Sequence, residues 1–236
     1  MNKVIPHPSL GDILYKKNRR SKRITIRVKE GGKVQVTLPT SLPFQQAIQV
    51  VNQHTAWISQ QLEKASQQQL QRTLDWDSHF SILEKKLQLK AHTGQYLTMQ
   101  ETAETIFLLV PQDWKIQAPS SQEGIKKGLI ETLRIFAKRY LPQRTHYWAK
   151  LHQININKVF IKNVKTRWGS CSNKGNINLS VHLMLLPPTW IDYVICHELA
   201  HIAHPNHSPA FWAHLEELLP GARSIDKALN QYQRPF

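Results

Sequence analysis

His197-Glu198-Leu199-Ala200-His201, followed after five residues by His207, is the stretch from which the rest of the chain can be read. Residues four apart on a helix lie on one face, so the imidazoles of His197 and His201 can close on a single metal ion. Glu198 sits beside them, where a carboxylate can act as general base on a metal-activated water. The flanking positions Ile191, Val194, Ile195, Leu199 and Ile202 are apolar, so two histidines and a glutamate would be buried at a cost that metal binding removes. Three neutral imidazoles leave a fourth position for water, the pattern of a catalytic zinc site.

His207 is expected as third ligand, because Pro205 disfavours helical geometry at His204 and the ensuing turn can carry His207 back at little entropic cost. A glutamate from the next helix, Glu216 or Glu217, is the alternative, and His204 is a further candidate ligand or transition-state donor. The ten-residue spacing from His197 to His207 matches the metzincin pattern. His204 stands at that pattern's glycine, however, and no methionine follows for a Met-turn. For a second oxyanion donor the candidates are Asn206, Ser208 and Arg167, each with a capping or packing role open to it.

Around this stretch the expected scaffold is α+β. Pro187-Pro188 should end a strand, with Thr189 as N-cap and Asp192 completing a capping box. Upstream, Val159–Ile161 and the alternating Ile177, Leu179, Val181 and Leu183 read as strands of a small antiparallel unit. A helix over about 122–152 carries the stripe Ile125, Leu129, Leu133, Phe136 and Tyr140, with a break or kink at Pro142. Downstream, a helix from Pro209 to about Leu219 should pack Phe211, Trp212 and Leu215 onto the core, and a short tail closes the chain.

Residues 1–115 read as a small basic β-rich lobe with one long helix, and 116–236 as the catalytic domain. The first dozen residues are interrupted by proline and say little. Ile24–Val28 and Val34–Leu38 alternate about a Gly31-Gly32 turn, giving a hairpin. A helix from Phe44 carries Ala47, Val51, His54, Ile58, Leu62 and Ala65 on one face, with His54 and Trp57 as packing residues. Phe80–Ala91 and Thr105–Val110 suggest a second hairpin.

The formal net charge of +15 on 236 residues permits attraction to nucleic acid, acidic protein surfaces or anionic lipid. Lys16–Arg23, KKNRRSKR, concentrates it, and that run serves equally as a nucleic-acid contact or as a charged strand edge kept from aggregation. A basic nucleic-acid-associated protein with a mainly structural metal is therefore the rival reading, and a protease acting on nucleic-acid-bound proteins would combine the two. No apolar run is long enough to span a bilayer and the N-terminus lacks a signal-peptide core, which points to the cytoplasm. Cys171 and Cys196 are too few for a disulfide framework.

The run KTRWGSCSNKGNINLSVHLMLLPPTWIDYVICHELAHIAHPNHSPAFW resembles the YgjP-like metallopeptidase family in its RWGSC, DYVxxHELAH, NHS and FW segments. NRRSKRITIRV and AWISQQL resemble that family's N-terminal hairpin and helix. The resemblance implies a minimal zincin-like domain with His197, His201 and His207 as zinc ligands, Glu198 as catalytic base and a peptide or protein as substrate. It also implies that the strand holding Arg167 and Trp168 flanks the cleft and pairs with extended substrate. Ser180 departs from the asparagine frequent in the family. A fold-level likeness to SprT-like proteases goes with it, without the Cys-rich ribbon some of those carry.

Overall fold

The structure is a computed structural model, and it describes residues 2–29, 32–71, 73–232 and 235–236. The chain forms two compact units, Met1–Thr73 and Leu74–Phe236, so the boundary expected near residue 115 falls inside the second.

In the first unit, strands β1 (Asn2–His7), β2 (Gly11–Asn18), β3 (Thr25–Val28) and β4 (Val34–Pro39) form one sheet in the order β1-β2-β4-β3. The expected hairpin is β3 against β4, with Val28 opposite Val34. Gly32 enters β4 at φ +71°, a conformation glycine adopts freely, while Gly31 lies outside the described residues. The opening residues, which carried no clear signal, form β1 and β2. Pro6 is accommodated in β1, a strand at the sheet edge, the place to which proline is confined within sheets.

The expected single helix is two, α1 (Phe44–Gln53) and α2 (Thr55–Gln71). The break falls at His54 (φ −107°, ψ 16°), and the Thr55 hydroxyl bonds back to the carbonyls of Val51 and Asn52, competing with the backbone ladder. Ile13, Val36, Leu38, Ala47, Val51 and Ile58 build the core of this unit. His54 and Trp57 do not join it. His54 is exposed, and Trp57 keeps 46% of its surface in solvent.

The second unit begins with β5 (His79–Ile82), β6 (Lys85–His92), β7 (Thr98–Glu101) and β8 (Thr105–Pro111), in the order β5-β6-β8-β7. The segments expected to pair as a hairpin, β6 and β8, run parallel, and β6 hairpins with β5 instead. This sheet repeats the arrangement of the first: two antiparallel pairs whose inner strands lie parallel, followed by a helix.

That helix, α3 (Pro119–Leu151), continues through Pro142 without the expected break. The Thr145 hydroxyl and His146 Nδ1 bond to the carbonyls of Leu141 and Pro142 in the following turn. Three short strands, β9 (Val159–Lys162), β10 (Gly169–Cys171) and β11 (Ile177–Ser180), then form a sheet in the order β10-β11-β9. It is mixed rather than antiparallel, since β11 runs parallel to β9. The returning strand stops at Ser180, whose hydroxyl donates to Val164 O and caps a 3₁₀ turn over Val181–Leu185.

Helix α4 (Pro188–Ala203) carries the histidines, with Pro187 as N-cap and Pro188 at the first helical position, where its missing N–H is harmless. Thr189 is therefore not the cap, and Asp192 closes no capping box. Asp192, only 8% exposed, takes two 2.6 Å hydrogen bonds from Arg144 and one of 2.9 Å from the Trp148 indole, tying α4 to α3. The chain ends in α5 (Pro209–Leu218) and α6 (Ala222–Gln231), so the expected short tail is a helix. No described helix is long and apolar enough to cross a membrane.

Candidate metal centre

Helix α4 is apolar on nearly every side, burying Ile191, Val194, Ile195, Leu199 and Ala200. It ends as Pro205 dictates, with His204 extended (φ −128°, ψ 92°). The turn that follows brings His207 back to the helix, where its Nε2 lies 3.1 Å from Nε2 of His197. Ligand atoms of His197, His201 and His207 all lie within 4.8 Å of one another. Nitrogens held at about 2.1 Å by a tetrahedral zinc stand about 3.4 Å apart, so little adjustment separates this cluster from a coordination shell. The Phe211 ring packs on all three imidazoles, with centroids 4.7–5.0 Å away.

Hydrogen bonds on the far side of two rings favour free Nε2 lone pairs. His201 Nδ1 lies 3.0 Å from the His204 carbonyl, to which it can only donate. The Tyr193 hydroxyl donates to Asp226 Oδ1 at 2.7 Å, leaving its oxygen to accept from His197 Nδ1 at 3.3 Å. Such outer partners orient metal-binding histidines. Burial lowers the His197 imidazole to about 4, helped by the neighbouring His201 and His207, and burial also lowers His201. Both rings are thus neutral near pH 7, as ligation requires.

Glu198 opens into the same cleft, a concavity of about 440 Å³, and is 5% exposed. Burial pushes its carboxyl up to about 8, against the opposing pull of the Arg167 charge and the Cys171 backbone N–H. Strand β10 forms the facing wall, with Gly169, Ser170 and Cys171 lining the cleft. Because β10 pairs only with β11 among the described residues, its outer edge is left unpaired there. A Cβ added at Gly169 would stand 2.5 Å from Glu198 Oε1, so only glycine allows this approach of strand and carboxylate.

Other residues considered from the sequence lie elsewhere. Arg167 and Trp168 line a separate concavity of about 200 Å³ on β10, which shares Gly169 and Ser170 with the main cleft. Trp168 also packs its ring against Tyr232. Ser208 caps α5, accepting from Phe211 N at 3.3 Å, and Asn206 is exposed in the turn, outside the cleft lining. Glu216 accepts the backbone N–H groups of Gly221 and Arg223 at the start of α6, and Glu217 lies 3.5 Å from His214. Neither glutamate joins the histidine cluster. Sequence reasoning missed Tyr193 and Asp226. Ala222, Ile225 and Leu229 at helical spacing after Gly221 were the available signal for the helix that delivers Asp226.

No curated protein matches the chain. Among solved structures it is similar to two metallopeptidase zymogens. Abylysin of Pyrococcus abyssi is 27% identical, with 39% of this chain and 94% of that one covered at a TM-score of 0.35. Jannalysin of Methanocaldococcus jannaschii is 21% identical, with 38% and 92% covered at a TM-score of 0.34. The model of the YgjP-like metallopeptidase domain matches residues 22–232, and the chain belongs to the YgjP-like metallopeptidase family.

Proposed function

We propose that the chain is a zinc-dependent peptidase in which His197, His201 and His207 hold the metal and Glu198 is the general base. The observation that carries this reading is three imidazole nitrogens within 4.8 Å of one another, sharing a cleft with a buried carboxylate. Bound there, zinc would supply a Lewis acid for the attacking water and the scissile carbonyl.

The protein's own part is positioning and proton transfer. The unpaired edge of β10 takes up an extended peptide by main-chain hydrogen bonds, laying its carbonyl across the face of α4. Glu198, held by the Cys171 N–H, removes a proton from the attacking water and delivers it to the amine nitrogen as the C–N bond breaks. A divalent ion held by the three histidines would add positive charge beside Glu198 and favour the carboxylate that a general base needs over the neutral acid that burial favours. Tyr193 with Asp226, and the His204 carbonyl, engage Nδ1 of two imidazoles and leave their Nε2 atoms free to hold a metal.

The metal set is open. Among the described residues the cluster holds three ligands and no fourth, whereas structural zinc sites close with four. This favours a catalytic over a structural metal. The test is Glu198→Gln, assayed on unfolded casein after metal analysis. The variant should keep the metal and lose hydrolysis by at least about a hundredfold; full activity would refute the assigned base.

A further inference from the structure

The catalytic reading leaves unused the most basic part of the molecule. Residues 1–73 hold twelve Lys and Arg against three Asp and Glu, nine of the fifteen net positive charges. Arg19, Arg20, Lys22 and Arg23 are exposed on the loop from β2 to β3, and Arg27 is exposed on β3 itself. The loop is ordered by its own bonds. Ser21 N donates to Asn18 O, Arg20 N donates to the Asn18 side chain, and the Ser21 hydroxyl donates to Arg23 O.

Beside this loop a groove of about 510 Å³ runs between β3 and the junction of α1 and α2. Ile24, Ile26 and Val50 supply apolar wall, Arg23 stands at one end, and His54 and Trp57 line the helical side. No acidic residue is among the described residues that line it. Trp57 is 46% exposed, an unusual state for a tryptophan on a unit with its own core.

We propose that this groove binds single-stranded nucleic acid, with Trp57 as a stacking platform for an unpaired base and the loop from Arg19 to Arg23 following the phosphates. A positive track beside an exposed aromatic ring is the combination that holds single strands without regard to sequence. Duplex fits less well, because its bases are already stacked and α1 carries no Lys or Arg to enter a major groove. An acidic protein segment would satisfy the cations but make no use of the indole. The site is independent of the metal centre and of its chemistry.

The test is fluorescence anisotropy of the full-length chain with labelled dT20, U20 and a 20-bp duplex over a range of salt. Binding to a single strand should weaken linearly in log–log form as salt rises. Replacing Arg19, Arg20 and Arg23 together by Ala should flatten that slope by about 2, at about 0.7 for each phosphate no longer neutralised. Trp57→Ala should weaken binding about 5- to 150-fold at constant slope, and Trp57→Phe should recover most of the loss. Tighter binding of dT20 or of U20 supports the proposal equally and separates a DNA from an RNA site. Absence of binding at low salt, preference for the duplex, or equal affinity of wild type and Trp57→Ala would overturn it. Displacement by poly-glutamate as readily as by unlabelled dT20 would also overturn it and assign the surface to acidic protein segments.

Discussion

Gly169 and Glu198 approach so closely that a single methyl group on the glycine would overlap the carboxylate, at 2.5 Å from Oε1 and 2.7 Å from Cγ. Strand β10 and helix α4 are therefore fitted to each other at the carboxylate assigned as base. Gly169→Ala should displace Glu198 while leaving the histidine cluster in place. An ångström of misplacement costs about a hundredfold in rate. The expected result is kcat on casein down about 10- to 100-fold with zinc content unchanged, and an unaltered kcat would show that the approach has no part in catalysis.

Tyr193 links His197 to Asp226, as the His204 carbonyl partners His201. Tyr193→Phe removes the hydroxyl that accepts from His197 Nδ1, and Asp226→Asn weakens the acceptor that orients it. Both should lower zinc affinity about 10- to 100-fold in competition with a chelator, the usual cost of losing an outer partner of a metal ligand. Equal affinities in all three proteins would reduce the link to packing.

The pair Arg144–Asp192 joins α3 to the histidine-bearing helix α4, and its carboxylate side chain is 11% exposed. Asp192→Asn strands the Arg144 guanidinium beside a neutral amide. The loss should be about 3 kcal/mol, a fall in melting temperature of about 6–12 °C for a unit of this size. A fall of under 2 °C in thermal denaturation would mean that the pair is replaced by solvent at little cost.

Backbone N–H groups of Arg223 and Gly221 hold the Glu216 carboxyl below the usual carboxylate range. Its folded pKa thus lies below the unfolded value, so the stability it adds is complete above the unfolded pKa of about 4.3 and is lost as pH falls through the folded one. Melting curves of wild type and Glu216→Gln should differ most at neutral pH and converge under acid. A gap that widened under acid would reverse the sign of this linkage.

How much the sequence disclosed followed the range of the interactions involved. The register of α4, its end at Pro205 and the return of His207 rest on bonds and spacings within ten residues, and the structure places all three histidines together. Asp192 was misread because the local pattern Thr189-x-x-Asp192 imitates a capping box, while its partner Arg144 lies 48 residues away. The parallel pairing of β6 with β8 was hidden for the same reason, since alternation marks a strand without naming its neighbour. Strand β1 was obscured by Pro6, whose meaning depends on the edge position that only the sheet order reveals. Gly169 was visible in RWGSC, but its purpose became legible only with the Glu198 carboxylate against it.

The most direct test of the account is zinc content, measured by elemental analysis on the wild type and on His207→Ala purified side by side. The three-histidine centre predicts about one zinc per wild-type chain and a marked loss in the variant, with the fold retained because His207 is exposed. Full zinc in His207→Ala, or none in the wild type after reconstitution, would contradict it.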